Sequence, residues 1–259
     1  MRSWRRNDSA NRNGTGERGV GLWKQSGGDP LTGASHLRDA RGAQPLLAVI
    51  GGSGALGSGL AQRLAKAGYP IVVGTRDASH ADEIADMFDL SDDAAPIKVA
   101  ANAEAAASAD IILVTVPFAA QEEIAQQIRP YVAKKLVIDT TVPLAPPRIT
   151  HVNLPENGSA ALSLRTRLGD HPRVVSAFHN IPARKLRGDT PVDSDILVFG
   201  DDPADRQAVI TLANGIGIHG VHGGALVNSV AAEALTPVLI GIGQIYKIDG
   251  AGIRITGVD

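Results

Sequence analysis

Three groups of residues carry a chemistry of their own. Gly52-Ser53-Gly54-Ala55-Leu56-Gly57 fits G-x-G-x-x-G and stands between a short apolar run and an amphipathic one. In such a turn the first glycine permits a tight bend and the second lets backbone approach a pyrophosphate. The third brings helix against strand, and the helix start offers unpaired N–H groups and positive dipole. Where a ribose-binding acid would stand, about 20 residues on, the chain instead reads Gly74-Thr75-Arg76-Asp77. A hydroxyl and a guanidinium suit a 2′-phosphate, which a carboxylate would repel. The ligand expected is NADP rather than NAD, unless Arg76 merely faces solvent. Asp77 works against the phosphate, and His80 offsets part of it.

The third group is spread over the chain. Ligands of open α/β sheets lie beyond the carboxyl ends of the strands. Thr115-Val116-Pro117-Phe118, Thr141-Val142-Pro143 and Phe178-His179-Asn180-Ile181-Pro182 all follow apolar runs and should converge there. His179 is open to two readings, a core histidine or a site residue. No serine nucleophile with a partnered base, carboxylate pair or metal-ligand cluster is evident. Asp201-Asp202 precede a helical pattern and read as its cap. His219 and His222, in an expected loop, lack the further ligands a metal needs.

Alternating elements must position these groups. "LLAVIG" (46–51) is a continuous apolar run, as in a parallel strand covered on both faces. Leu60, Leu64 and Ala67 recur at helical spacing, and Gly68 stops that helix. "YPIVVG" is a second strand, "SHADEIADMF" a helix with Ser79 as cap, "PIKVA" a third strand and "NAEAAASA" a small helix. "DIILVTVP", "FAAQEEIAQQIRPYV" and "KLVIDTTVP" continue the β-α-β series, which predicts a doubly wound parallel sheet. After a proline-rich loop, "SAALSLRTRLG" is helical, "RVVSAFHNIP" and "DILVFG" are strands, and "DPADRQAVITLANGI" is a helix. "VNSVAAEALTPVLIGIGQIYKI" is a long apolar helix that Pro237 should kink. The expected division is an extension over 1–44, a nucleotide-binding domain over 45–144 and a C-terminal part over 145–259 that completes the sheet, the second pocket and an oligomer contact.

Composition narrows the function further. The 259 residues carry a formal charge of −2, which argues against broad binding to nucleic acid or acidic membrane. Without cysteine there is no thiol catalysis, disulfide or cysteine-ligated metal, which is compatible with a cytoplasmic protein. "IILVTVPFAA" and "LTPVLIGIG" fall short of the roughly 18 to 20 apolar residues of a membrane helix. Residues 1–44 have eight Arg/Lys against four Asp/Glu, both tryptophans and no periodicity, and are expected to be a disordered or partner-binding extension.

"GGSGALGSGLA", "VVGTR", "VVSAFHNIPA", "VFGDD" and "NSVAAEALTPVLIGI" follow one another in an order that resembles the NADPH-dependent coenzyme F420 reductase family over about Leu46 to Gly257. The resemblance implies an α/β fold, a Rossmann-type doubly wound sheet with a smaller C-terminal α+β part, and a homodimer. It implies reversible hydride transfer between NADP and the 8-hydroxy-5-deazaflavin F420 as co-substrate. Ser53, Ala55 and Leu56, with Gly52, Gly54 and Gly57, would then hold the pyrophosphate, and Thr75 and Arg76 the 2′-phosphate. His179, as an orienting group, and Ile181 would lie by the two rings, near Val116, Pro117, Phe118, Val142 and Pro143. Asn228, Ser229 and Leu235 would complete the pocket. Phe118 stands where some relatives have a larger aromatic. Arg184, Lys185 and Arg187 are either attractors of the F420 tail or solvated charge. The competing readings are an NADP-dependent reductase of an imine, keto acid or flavin, and a non-catalytic NADP-binding protein.

Overall fold

The computed structural model describes Leu37 and residues 43–169, 172–188 and 190–258. The expectations for residues 1–42, Trp4 and Trp23 among them, fall outside this set, Leu37 excepted. Leu47-Ala48-Val49-Ile50 form β1, and each side chain is fully buried. Leu47 and Val49 enter one apolar cluster, Ala48 and Ile50 the other, so alternation along the strand feeds two faces of a covered sheet. Around β1 stand β2 (Ile71–Thr75), β3 (Ile97–Ala101), β4 (Ile111–Val114), β5 (Leu136–Asp139) and β6 (Arg173–Ser176). All six are parallel. Their order is β3-β2-β1-β4-β5-β6, and the sheet continues without a break into β7 (Ile196–Gly200) and β8 (Gly220–Gly224). β7 runs antiparallel to β6, and β8 parallel to β7.

The helices cover both faces because each offers one apolar stripe. α1 (Ala55–Lys66) lays Leu60, Ala61, Leu64 and Ala65 on one cluster, beside Val209, Leu212 and Ala213 of α6 (Pro203–Gly215). α3 (Asn102–Ser108), α4 (Phe118–Ile128) and α5 (Ala160–Leu168) cover the other with Ala105, Ile124, Ile128 and Leu164. Each Leu or Ile so buried contributes about 1.5–3 kcal/mol. Gly68, at φ +90°, ends α1 as expected. Asp202 caps α6 by accepting from the Ala204 amide at 2.7 Å.

Four expectations need correction. Ser79 does not cap a long helix: Asp77 accepts from the Ser79 amide, caps a single 3-10 turn over Ala78–His80, and leaves α2 with only Ala81–Ala85. The strand expected over 173–182 ends at Ser176, because Phe178 adopts φ +66° and turns the chain. His222 lies in β8 rather than in a loop; "GVHGG" lacks the apolar run that marks a strand, and pairing with β7 supplies what its composition does not. The long helix, α7, spans Ser229–Tyr246 with Pro237 inside it. With the turn before it, Leu226–Tyr246 is long and apolar enough by composition to cross a membrane, contrary to the reading of "LTPVLIGIG" alone. Its first half is nevertheless committed to the fold through Ser229, Glu233 and Thr236.

β8 is held tightly at its glycines. A methyl group on Gly223 would run into the ring of Phe199, which is itself buried on β7. Gly223→Ala should therefore lower stability by about 1–3 kcal/mol, read as an earlier denaturant midpoint. An unchanged midpoint would mean that β8 is not packed on β7 in this register.

Candidate coenzyme site

At the carboxyl end of β1 the chain turns through Gly51, at φ +80°, and enters α1. A Cβ on Gly57 would lie 2.6 Å from the Gly51 carbonyl oxygen, 2.8 Å from the Gly52 Cα and 2.5 Å from Thr115 Oγ1. Only a glycine lets α1 begin this close to β1. Gly54, the N-cap, gives no side-chain bond to the first-turn amides, and Ser53, Gly54 and Ala55 are exposed. The result is an open mouth of backbone N–H groups that fits a pyrophosphate.

Arg76 and Thr75 follow at the end of β2, the first exposed and the second partly so. Asp77 is occupied elsewhere. Its carboxylate accepts from the Ser79 amide (2.9 Å) and hydroxyl (2.6 Å), and His80 Nδ1 lies 3.2 Å away. The Ser79 hydroxyl, above all, holds the Asp77 carboxyl below its ordinary range. Arg76 has no acidic partner among the described residues. His80 thus serves the Asp77 turn, and the objection raised by Asp77 weakens.

At the same carboxyl end of the sheet, β4 leads to Val116, Pro117 and Phe118, and β5 to Thr141, Val142 and Pro143. The left-handed Phe178 folds the end of β6 back, so that His179 Nε2 meets Ser176 Oγ at 2.8 Å. A buried non-glycine residue at positive φ costs about 1–3 kcal/mol and persists only where its surroundings fix it. Burial lowers the His179 pKa to about 3, so its ring is neutral at physiological pH. Three buried polar atoms here lack partners: His179 Nδ1, Thr141 Oγ1 and Asn180 Oδ1. In either tautomer, Ser176 takes one ring nitrogen and Nδ1 is left over. Orphaned buried polar atoms call for a partner, an ordered water or a bound group among them. Ile181 is buried close by in sequence.

The C-terminal candidates are placed less uniformly. Leu235 is partly buried on α7 and Asn228 is exposed at its start. Ser229 is fully buried and donates to Ser159 Oγ at 2.9 Å, which makes it a fastener between α7 and α5 in the single chain. Arg184 pairs with Asp249, so that member of the basic segment is neutralised. Asp201 bonds Arg165 at 2.7 Å and the Leu226 amide at 3.0 Å. His219 pairs with Asp195, and among the described residues no cluster could hold a metal.

The sequence reading missed a pair of carboxylates. Asp139, fully buried at the end of β5, accepts from Gln121 Nε2 (3.0 Å) and the Thr141 amide (3.1 Å). Glu233, on α7, accepts from the Ala160 and Ala161 amides at 2.6 and 3.2 Å. Burial pushes Asp139 up to about 7; burial, with the charge of Asp139 adding to it, pushes Glu233 up to about 8. Glu233 is the one charged residue between Leu226 and Tyr246, and that solitary acid was the available signal. A cavity of about 570 Å³ opens at the opposite, amino edge of the sheet, beside Asp110, Arg173 and Asp205. It has no part in the glycine cradle, and the chemistry described above lies at the other end of the strands.

The His179 shift carries a consequence for pH. With its pKa depressed from 6.5 to about 3, this histidine contributes stability present above pH 6.5 and lost as pH falls toward 3. The His179 ring carbons, followed by NMR, should show no titration between pH 5 and 8; a midpoint near 6.5 would place the ring in solvent.

A family model described as NADP oxidoreductase, coenzyme F420-dependent, matches residues 46–143. An F420-dependent NADP reductase of Methanothermobacter thermautotrophicus is 37% identical over 225 residues, covering 82% of this chain and 95% of that one. The enzyme of the same name from Methanocaldococcus jannaschii is 36% identical over 222 residues, covering 82% and 99%. Among solved structures, a candidate F420-dependent NADP reductase of Arthrobacter sp. FB24 superposes with a TM-score of 0.69 at 22% identity, covering 82% of this chain and 99% of that one. Plasmodium falciparum pyrroline carboxylate reductase with NADP bound has a TM-score of 0.51 at 18% identity over 78% of this chain and 65% of its own. These two likenesses concern the fold.

Proposed function

The chain belongs to the F420-dependent NADP reductase family, and from that premise we propose how its residues divide the work of passing a hydride between NADP(H) and coenzyme F420. The observation that carries the reading is the open glycine cradle beside an unpaired Arg76 whose neighbouring acid is turned into its own loop. Both coenzymes are hydride carriers, so the redox chemistry is theirs when bound and the protein supplies placement.

The first-turn amides of α1 bind the pyrophosphate, and Gly52 and Gly57 let the turn and the helix pack closely enough to present them. Thr75 and Arg76 bind the 2′-phosphate. Val116, Pro117, Phe118, Val142, Pro143 and Ile181 form apolar walls, and Leu235 and Asn228 close the pocket from α7. His179 is an orienting group and does not serve as an obligatory base, since burial lowers its pKa to about 3, which leaves it neutral and a poor proton acceptor. That neutrality also disfavours an imine or keto acid reductase, which needs a proton donor near the nicotinamide. Placement alone converts a two-body encounter into a unimolecular step, worth roughly 7 kcal/mol or more.

The second half of α7 supports a homodimer. Ile245 and Tyr246 are 75% and 71% exposed, and Val238 and Ile248 are also open to solvent. An apolar stripe of this kind is a poor solvent-facing surface and suits a second copy of the same helix. Tyr246→Asp combined with Ile245→Asp should convert a dimer to a monomer in light scattering, and a wild type that is already monomeric would remove this part.

The activity is tested by mixing NADPH with oxidised F420 and following loss of the deazaflavin visible absorbance. Arg76→Ala should raise KM for NADPH about 10- to 100-fold, the loss of a charge-assisted bond of roughly 1.5–3 kcal/mol, and change KM for NADH little. An equal effect on both, or reduction of FMN or an imine in place of F420, would reject the assignment.

A further inference from the structure

Glu233 is 1% exposed, yet among the described residues it meets no cation: both carboxyl oxygens are taken by the first two amides of α5. Beside it the Ser229 hydroxyl donates to Ser159 Oγ, and Ser159 is the N-cap of α5, accepting from the Leu162 amide at 3.1 Å. Glu233 therefore completes, from another helix, the capping that Ser159 begins. One turn further along α7, Thr236 Oγ1 donates to the carbonyl oxygen of His179 at 3.0 Å. Ala160 also joins Glu233 to the end of β5, because Gln121 Nε2 donates both to the Ala160 carbonyl (3.1 Å) and to Asp139. Arg167 in turn fixes Gln121 by donating to its Oε1 at 2.6 Å.

We propose that Glu233 is a positioning residue of the hydride-transfer site: its grip on the α5 amides sets where α7 lies, and α7, through Thr236, sets the peptide that presents the His179 ring. The proposal rests on the coenzyme reading above. Glu233 touches neither coenzyme in it. The ionisable groups around Glu233 are few. Asp139 faces it from β5, and Arg167 of α5, bonded to Gln121 and paired with Glu122, acts through its charge on Asp139. Arg165, the other charge on α5, is engaged with Asp201. His179 lies under Thr236 and is neutral. β7 and the turn Leu226–Asn228, both packed on α7, bring no ionisable side chain.

The sign of the pH effect follows from burial. A carboxyl whose folded pKa is raised to about 8 contributes stability fully present below its unfolded value of 4.5 and lost as pH rises through 8. Above that pH the lock holds a second buried charge beside Asp139, and the placement of α7 should loosen.

Two full-length variants test the chain of contacts. Glu233→Gln keeps the shape and one acceptor but cannot ionise; Thr236→Val cuts the link to His179 and leaves the α5 cap intact. Glu233→Gln should lower amide-exchange protection at Ala160 and Ala161 about tenfold, because its NH2 group cannot accept from the second of the two amides. It should also shift the His179 ring resonances and reduce kcat about 10- to 100-fold, the scale of a small misplacement. KM for NADPH should stay nearly constant, because the cradle stands on β1 and α1. Wild-type kcat should decline above pH 8, and that decline should flatten in this variant. Thr236→Val should reproduce the His179 shift and the loss of kcat with Ala160 and Ala161 still protected.

Should Glu233→Gln leave the His179 resonances and kcat as in the wild type, or lower kcat only in step with the folded fraction, Glu233 merely supports the fold. If Glu233→Gln fails to fold, an unchanged His179 signal in Thr236→Val overturns the proposal. A wild type that does not reduce F420 refutes the coenzyme reading instead, and the exchange and resonance measurements still decide the lock.

Discussion

A single steric constraint governs the site: α1 must begin within contact distance of the turn that leaves β1. At Gly57 even a methyl group would press on the Gly51 carbonyl, the Gly52 Cα and the hydroxyl of Thr115. Thr115 is at the same time bonded to the Ile50 carbonyl at 2.8 Å, so β1, β4 and α1 meet at one point without room to adjust. That closeness aims the first-turn amides outward. In the proposed reading it also fixes where the pyrophosphate lies, and hence how far β2 must carry Thr75 and Arg76. The cradle is rigid because its parts are backbone, and backbone held in a covered sheet reorganises little when charge arrives.

The far wall is built by a different means. β6 does not lead smoothly into its loop but is broken at Phe178, whose left-handed conformation is maintained by full burial of its ring in the larger apolar cluster. The turn brings His179 back onto Ser176 and leaves Nδ1 unpaired. A strained residue and orphaned polar atoms at one place are the usual mark of a surface shaped for a ligand rather than for stability. The two walls also differ in charge. The phosphate side offers amides and a guanidinium, whereas the ring side is apolar with neutral polar atoms. A charged dinucleotide and a flat redox ring are thereby given distinct surroundings within one crevice.

Much of the phosphate side was legible in the sequence because its determinants are local. The buried run of β1, the spaced glycines and the Thr75-Arg76 pair lie within thirty residues, and each is marked by its own local residue types. The ring side was legible only in part. His179 could be singled out by its place after an apolar strand, but its bond to Ser176 depends on the unforeseen turn at Phe178. β8 escaped notice because glycines carry no pattern, and its pairing with β7 is tertiary. The Glu233 contact joins residues 73 positions apart, and nothing local reports such a bond. Ser79 does not cap a helix because Asp77 accepts from both its amide and its hydroxyl and so draws it into a 3-10 turn.

The account stands on one claim, that the crevice seats the nicotinamide and the deazaflavin together so that hydride passes directly from one to the other. A single turnover with NADPH carrying deuterium at C4, run in ordinary water with oxidised F420, tests it by mass spectrometry of the reduced deazaflavin. Deuterium retained at C5 of the product is the predicted result. Loss of that label to water, or a product that takes its carbon-bound hydrogen from solvent, would contradict it.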